Sequence, residues 1–266
     1  MIVERAAALL AEHGVETARV DAEWIVAHVL GVTRSELVAR NEDIDDSAVW
    51  PLVERRALRE PLAYVLGEWG FRRLTLRCDA RALVPRPETE TVVERCLELL
   101  RDVERPRVVD VGTGTGAIAL ALADELDDVR VVATDASAEA LELARVNAQR
   151  TGLRVDFVLA DLRDSLPPGP FDLVVSNPPY VRTEEIDSLE PEVRDWEPRE
   201  ALVDEGQTAA LARAALDVLQ PGATLVLEVH TERASEVSAM LEALGYDVRI
   251  SLDLTGRGRV VEGKRP

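Results

Sequence analysis

The chain has 266 residues, of which 47% are hydrophobic and 30% charged, proportions typical of a soluble globular protein. This length can hold one full α/β domain and a smaller one. No stretch approaches the roughly 18 apolar residues of a transmembrane helix, and the first residues lack the pattern of a signal peptide. We therefore expect a cytoplasmic protein without a membrane partner. The formal net charge of −19 argues against a broad nonspecific nucleic-acid surface.

The residue types that usually bind metals are few and scattered. Cys78 and Cys96 do not form a C-x-x-C pair, and the three histidines are far apart in the sequence. We predict burial for both thiols, with no disulfide and no metal. Lys264 is the only lysine; a GC-rich genome or a saline habitat would each explain that bias.

The amino-terminal part of the chain shows helical periodicity. Apolar residues recur on one face at helical spacing: Ala22, Ile25, Val26, Val29 and Leu30. Gly31 lies where this helix would end. A further helix is predicted over residues 49–58, in which Arg55-Arg56 is interpreted as a solvated face. We predict a helical domain over residues 1–68.

A short connecting region follows. Residues 69–85 interleave apolar side chains with Arg and Asp, which predicts a β-hairpin that links two domains. Val84-Pro85-Arg86-Pro87-Glu88-Thr89-Glu90 then forms a rigid turn that opens a helix ending near Leu100.

From Arg107 onward, strand and helix patterns alternate. The predicted strands are 107–111, 129–134, 154–159, 171–176 and 224–229, followed by a closing strand pair at 246–252 and 259–262. The predicted helices are 117–126, 138–151, 208–219 and 233–244. This alternation predicts a doubly wound, mostly parallel α/β sheet over residues 86–266, with ligands at the carboxyl ends of its strands.

A glycine-rich loop follows the first strand of this sheet. Gly112-Thr113-Gly114-Thr115-Gly116 has G-x-G-x-G spacing, which differs from the G-x-G-x-x-G of dinucleotide-binding loops. Asp110, two residues before the loop, suits a cofactor with a cationic amino-acid tail. No lysine follows the loop, which excludes a phosphate-binding P-loop.

Two further acids follow strands of the same sheet. Asp135 could accept hydrogen bonds from both hydroxyls of a ribose, and Asp161 could reach the exocyclic amine of an adenine. Together with the glycine loop, they favour S-adenosylmethionine over NAD as the cofactor.

Asn177-Pro178-Pro179-Tyr180 follows the strand pattern at residues 171–176. Neither proline has an N–H, and residues before proline avoid helical angles, so the carbonyls of Asn177 and Pro178 stay free to accept hydrogen bonds. With the Asn177 side-chain carbonyl they suit a planar NH2 group, on which Tyr180 could stack. Such a grip would aim the nitrogen lone pair at an electrophilic methyl group, with positioning providing most of the catalysis.

These motifs resemble the HemK-type (PrmC-like) release factor glutamine methyltransferases over nearly the whole chain. The resemblance is carried by four segments: Arg59 to Tyr64, Leu83 to Glu90, Asp110 to Ala121 and Asn177 to Tyr180. It implies a class I, Rossmann-like methyltransferase domain. It also implies methylation of the glutamine side-chain amide in the Gly-Gly-Gln loop of peptide chain release factors.

The resemblance also implies roles for individual residues. Gly112 to Gly116, Asp135 and Asn177 would contact S-adenosylmethionine, and Asn177 to Tyr180 would hold the glutamine. Leu162 stands where the family often has an aromatic residue, and His230 where related chains usually have glycine.

Two alternatives remain open from the sequence. An adenine amino-methyltransferase acting on DNA or RNA uses the same Asn-Pro-Pro-Tyr box on a flipped base; the net charge and the lack of a target-recognition domain count against it. A non-catalytic cofactor-binding protein is disfavoured by the intact box and glycine loop. We expect a monomer that binds release factors and does not stably bind nucleic acid.

Overall fold

A computed structural model describes residues 2–39, 46–163, 165–253 and 255–266. The chain forms two compact units. Unit 1 comprises Met1–Glu68 and Leu189–Trp196, and unit 2 comprises Trp69–Ser188 and Glu197–Pro266. The second segment of unit 1 lies far along the chain from the first.

Unit 1 begins with five helices: α1 (Ile2–Glu12), α2 (Ala18–Leu30), α3 (Arg34–Ala39), α4 (Asp46–Ala57) and α5 (Leu62–Leu66). α2 ends at Gly31, whose left-handed backbone (φ 62°) lets its N–H bond the helix carbonyls, as predicted. The predicted helix at 49–58 is α4, which begins earlier. α3 and α5 were not predicted, because each is too short to show a periodic apolar pattern.

The interpretation of Arg55-Arg56 as a solvated face is confirmed for Arg55, which is exposed, and was wrong for Arg56. Arg56 is buried, and its guanidinium bonds Asp21 at 2.7 Å and Glu192 at 2.7 Å. Arg59 also pairs with Glu192, at 2.6 Å. A buried guanidinium must be paired, and the two ion pairs of Glu192 with Arg56 and Arg59 tie residues 189–196 into unit 1.

Unit 2 contains the sheet. The remaining elements in chain order are β1 (Glu68–Phe71), β2 (Leu74–Arg77), α6 (Pro87–Leu100), β3 (Arg107–Val111), α7 (Ala117–Glu125), β4 (Arg130–Asp135), α8 (Ala138–Thr151), β5 (Asp156–Leu159), β6 (Phe171–Ser176), α9 (Pro191–Arg194), α10 (Arg199–Leu202), α11 (Gln207–Val218), β7 (Leu219–Glu228), α12 (Ala234–Ala243), β8 (Asp247–Leu252) and β9 (Gly258–Lys264). Of these, the short helix α9 belongs to unit 1.

Seven strands form one sheet in the order β5-β4-β3-β6-β7-β9-β8. β3 to β7 run parallel, and β9 lies antiparallel between β7 and β8. The strand order reverses between β3 and β6, and ligands of such sheets bind at this point. The predicted doubly wound sheet with an antiparallel closing strand is confirmed. β7 begins five residues earlier than predicted.

Helices cover both faces of this sheet. One apolar cluster joins Val93 and Cys96 of α6 and Leu120 of α7 to the sheet, and the other joins Leu211 of α11 and Leu241 of α12 to its opposite face. The central strands β3, β6 and β7 are largely buried on both sides, which explains their continuous Val and Leu runs. Cys78 and Cys96 are buried free thiols, as predicted. β1 and β2 form a separate two-stranded sheet.

Candidate active site

A cleft of about 440 Å³ opens in unit 2 at the carboxyl ends of β3, β4, β5 and β6. This volume lies in the range of small-molecule pockets, roughly 300–1,000 Å³. Predicted site residues that line the cleft are Gly112, Thr113, Gly114, Thr115, Asp135, Asp161, Leu162, Asn177 and Pro179. Residues predicted from four separate strand ends therefore meet in one place.

The glycine loop forms one wall of the cleft. The N–H groups of Gly112 and Thr113 both donate to the Thr134 carbonyl at 2.9 Å, which ties the loop to β4. Gly112, Gly114 and Gly116 all have positive φ, a conformation that side chains disfavour. Gly116 does not line the cleft; a Cβ there would lie 3.1 Å from Leu120 and 3.3 Å from Ala144.

Asp110 lies behind the loop and not on the cleft surface. Its carboxylate accepts hydrogen bonds from the Thr113 hydroxyl at 2.6 Å and from the Ala119 N–H at 3.2 Å. Burial raises the pKa of Asp110 to about 7, although these two bonds oppose the rise. Oδ1 is buried with no hydrogen-bond partner among the described residues. The geometry thus gives Asp110 a part in shaping the loop and leaves one acceptor open.

Asp135 lies at the end of β4 on the cleft surface. Oδ2 accepts from the Gly114 N–H at 2.9 Å, and Oδ1 accepts from the Ser137 N–H at 2.9 Å. A carboxylate has about four acceptor sites, so each oxygen can take a further donor. Burial raises the pKa of Asp135, against these backbone bonds.

Asp161 and Leu162 line the cleft after β5. The Asp161 carboxylate is paired with Arg163, at 3.0 Å to Nε and 2.5 Å to Nη2, and this pairing lowers the pKa of Asp161. Leu162 is partly buried against an apolar cluster of the sheet. The Asp161–Arg163 pair was not expected from the sequence.

The Asn177–Tyr180 segment follows β6 and divides between two cavities. Asn177 and Pro179 line the cleft, whereas Pro178 is buried. Tyr180 lines a second cavity of about 100 Å³ together with Glu228 and Arg233. Its carbonyl accepts a hydrogen bond from Arg233 at 2.6 Å, and burial raises the pKa of its hydroxyl to about 12. The ring of His230 lies 6.3 Å from that of Tyr180.

Other residues of the cleft were missed by the sequence interpretation of roles. Arg86 and Thr89 line it beside Asn177, and Arg86 bonds both oxygens of the buried Glu197, at 2.8 and 2.7 Å. Arg86 and Thr89 both lie in the motif at residues 83–90, so that motif could have indicated that they line the cleft. Glu200 and Gln207 also line the cleft, and no local pattern marks them.

Within the described ranges, no group of three or more His, Cys, Asp or Glu side chains could hold a metal ion. In the same part of the chain, no helix is long and apolar enough to span a membrane.

Comparison with known proteins first defines the class. Residues 93–219 match the Methyltransferase small domain family, and residues 2–67 match the PrmC N-terminal domain family. Among solved structures, a Thermus thermophilus 16S rRNA N2 G1207 methyltransferase has the same fold (TM-score 0.53, 16% identity) over 75% of this chain and 50% of that one. Unit 2 is thus a class I, Rossmann-like methyltransferase domain.

Curated relatives then define the family. A release factor glutamine methyltransferase of Deinococcus radiodurans is 45% identical over 99% of this chain and 97% of its own length. One of Geobacter sulfurreducens is 39% identical over 96% and 92%. The chain belongs to the release factor glutamine methyltransferase family.

Proposed function

We propose that the protein transfers a methyl group from S-adenosylmethionine to the side-chain amide nitrogen of the glutamine in the Gly-Gly-Gln loop of peptide chain release factors. The observation that carries this proposal is the placement of Asn177 in the same cleft as the glycine loop and Asp135. Full-length relatives with that activity in their names support it.

The cleft fits this cofactor. Asp135 has acceptor sites left at the strand end, where a ribose diol would bind. Glycines at 112 and 114 let a ligand approach the loop backbone closely, and Leu162 offers an apolar face for the adenine. The open Oδ1 of Asp110 suits the cationic amino group of the cofactor, and a water molecule would link the two because Asp110 does not line the cleft. Asp161 retains acceptor capacity for the adenine amine beside Arg163.

When bound, S-adenosylmethionine supplies an electrophilic methyl group. The nucleophile is an amide nitrogen whose lone pair is delocalised. Asn177 Oδ1 and the Pro178 carbonyl would each accept one N–H of that amide, turning the lone pair toward the methyl carbon. Tyr180 lines the second cavity and not the cleft, so its ring would turn toward Asn177 to pack on the amide plane. The nitrogen loses its proton only after the N–C bond forms, so no strong general base is required.

Adenine in DNA or RNA presents the same planar NH2 group, but the family assignment and the PrmC N-terminal domain do not favour it. Purified protein, labelled S-adenosylmethionine and either a folded release factor or adenine-containing DNA would separate the two. We expect label on the release factor and none on single-stranded or duplex DNA. Transfer to DNA with none to the release factor would overturn the proposal.

A further inference from the structure

Three polar side chains from separate elements meet beside the cleft. Asn177 follows β6, Thr89 lies in the first turn of α6, and Glu228 ends β7. β6 and β7 are parallel, with Ser176 opposite Leu227, so Asn177 and Glu228 are neighbours across the sheet. Asn177 Nδ2 donates to Thr89 Oγ1 at 3.4 Å. The Thr89 hydroxyl also lies near enough to the Glu228 carboxylate to lower its pKa as a hydrogen-bond donor.

Two of these side chains are almost fully buried. Thr89 is 4% exposed and Glu228 is 1% exposed. Glu228 Oε2 has no hydrogen-bond partner among the described residues. A buried carboxylate with an open oxygen costs free energy, and an apolar residue at this strand end would avoid that cost. The methyl transfer described above assigns Glu228 no role.

The hydrogen-bonding capacity of the Thr89 hydroxyl group gives Glu228 a role. Thr89 has a single proton and can donate only one hydrogen bond. A carboxylate can only accept, so Glu228 takes that proton and Thr89 can only accept from Asn177. The end of the Asn177 amide that faces Thr89 is therefore the NH2 group, and Oδ1 is the end left for the cleft.

We infer that Glu228 is a positioning residue, which acts through Thr89 to hold the Asn177 side-chain amide with its oxygen toward the methyl acceptor. The catalytic consequence rests on the proposed function, since it requires an acceptor whose N–H groups Asn177 grips. The orientation of the Asn177 amide does not require that function and can be measured without any substrate.

The charge on Glu228 should control this orientation. Burial raises the pKa of Glu228 to about 7; the Thr89 bond, Arg259 and Arg86 lower it, and Glu88 raises it. Tyr180, after β6, also faces this carboxylate, and Arg233, Asp204 and Glu236 line the second cavity with it. Once protonated, Glu228 can donate to Thr89, whose own proton is then free to meet Asn177 Oδ1. The amide can then turn around.

Nuclear magnetic resonance tests the orientation directly. The chain has only three asparagines, Asn41, Asn147 and Asn177, so ¹⁵N-asparagine labelling gives three side-chain amide pairs, and Asn177→Ala assigns one. We expect the Asn177 amide shifts to titrate with a midpoint near pH 7 in the wild type. The step should vanish in Glu228→Gln and persist in His230→Gln, which removes a neighbouring titratable ring.

Kinetics at pH 8 and saturating cofactor test the consequence. Thr89→Val removes the hydroxyl and should lower kcat about tenfold, the rate equivalent of one hydrogen bond, with KM for the release factor within about twofold. Thr89→Ser keeps the hydroxyl and should retain most activity. Thr224→Val is the matched control, because Thr224 is a buried β7 threonine outside both cavities. Glu228→Gln should lower kcat. It should also remove the loss of activity that we expect of the wild type below about pH 7.

Stability distinguishes positioning from a merely structural role. Because the folded-state pKa of Glu228 is raised, its ionised form costs stability as pH increases above the unfolded value of 4.5. Glu228→Gln should therefore not lower Tm at pH 8, even though it slows turnover.

Two results would overturn the inference: an Asn177 amide that does not titrate with Glu228, or equal kcat losses in Thr89→Ser and Thr89→Val. Absence of transfer to the release factor by the wild-type protein, with the amide titration intact, would instead overturn the proposed function alone.

Discussion

At the glycine-loop half of the cleft, backbone N–H groups hold the Asp135 carboxylate, whereas at the Asn177 half side chains from separate elements hold one another. Asp135 accepts from two backbone N–H groups within and beside its own loop. Asn177 instead depends on Thr89, 88 positions away. The first arrangement is rigid by construction, and the second depends on the protonation of a neighbour. The two halves should therefore respond differently to mutation and to pH.

The largest expected effect is at Asn177. Asn177→Ala removes the acceptor for one N–H of the substrate amide and should lower kcat on the order of 100-fold or more, as loss of one preorganised polar contact does. The assay should be run as single turnovers at saturating cofactor, since Asn177 also borders the cofactor half of the cleft. Near-normal single-turnover rates would show that another group positions the nitrogen.

Asp135→Ala should affect binding and not turnover. Loss of hydrogen bonds to a charged group costs roughly 1.5–3 kcal/mol, which calorimetry would record as a rise in Kd for S-adenosylmethionine of about 10- to 150-fold. Asp156→Ala is the control, because Asp156 forms an exposed ion pair with Arg130 and does not line the cleft. Equal affinity in the two variants would remove Asp135 from the cofactor site.

The same site predicts a pH dependence. Burial raises the pKa of Asp135, so on acidification it loses its charge at a higher pH than an exposed aspartate would. Cofactor affinity should then weaken toward acid pH in the wild type and stay flatter in Asp135→Asn. Identical pH profiles for the two proteins would contradict a charged Asp135 at the ribose.

Gly116 tests the rigidity of the loop. Gly116 (φ +85°) and Gly152 (φ +71°) are both left-handed, but only at Gly116 would a Cβ meet other atoms closer than 3.4 Å. Alanine at either position should cost roughly 1–2 kcal/mol for the backbone, and at Gly116 about 1 kcal/mol more for overpacking. Urea denaturation of both variants measures the difference; equal losses would mean that Leu120 and Ala144 move aside freely.

Arg163 should matter least. Arg163→Met frees the Asp161 carboxylate, and the pKa of Asp161 should return toward its ordinary value because the guanidinium no longer lowers it. An exposed ion pair contributes up to about 1 kcal/mol, so Kd for the cofactor should change by less than about fivefold. A loss as large as that of Asp135→Ala would show that Arg163 itself contacts the cofactor.

The glycine-loop half could be predicted from the sequence, because its parts are local. A glycine loop after a strand and an acid at the next strand end need only strand–helix alternation to bring them together. The Asn-Pro-Pro-Tyr box was visible for the same reason. The contacts that orient Asn177 could not be predicted from the sequence. Thr89 and Glu228 belong to α6 and β7, and no pattern in either segment indicates that it contacts Asn177.

The charge of Arg56 led to a wrong prediction, because a charged side chain was expected to be exposed and this one is buried. Arg56 looks like any solvated arginine in the sequence, yet it is buried against Asp21 and Glu192. Residues 189–196 belong to unit 1 for this reason, although their position in the chain suggested the larger domain. Arg56 and Glu192 are 136 positions apart in the chain, and no periodic pattern in the sequence predicts that they form an ion pair. Asp161 was predicted correctly as a cleft residue, but its pairing with Arg163 was not anticipated.

Tandem mass spectrometry of a methylated release factor tests the central claim most directly, namely that Asn177 presents a glutamine amide nitrogen for methylation. A folded release factor is incubated with S-adenosylmethionine and either wild-type protein or Asn177→Ala, and its Gly-Gly-Gln peptide is fragmented. We predict one added methyl group, located on the glutamine side chain, with wild-type protein and almost none with the variant. A methyl group on another residue, or equal modification by the two proteins, would contradict the claim.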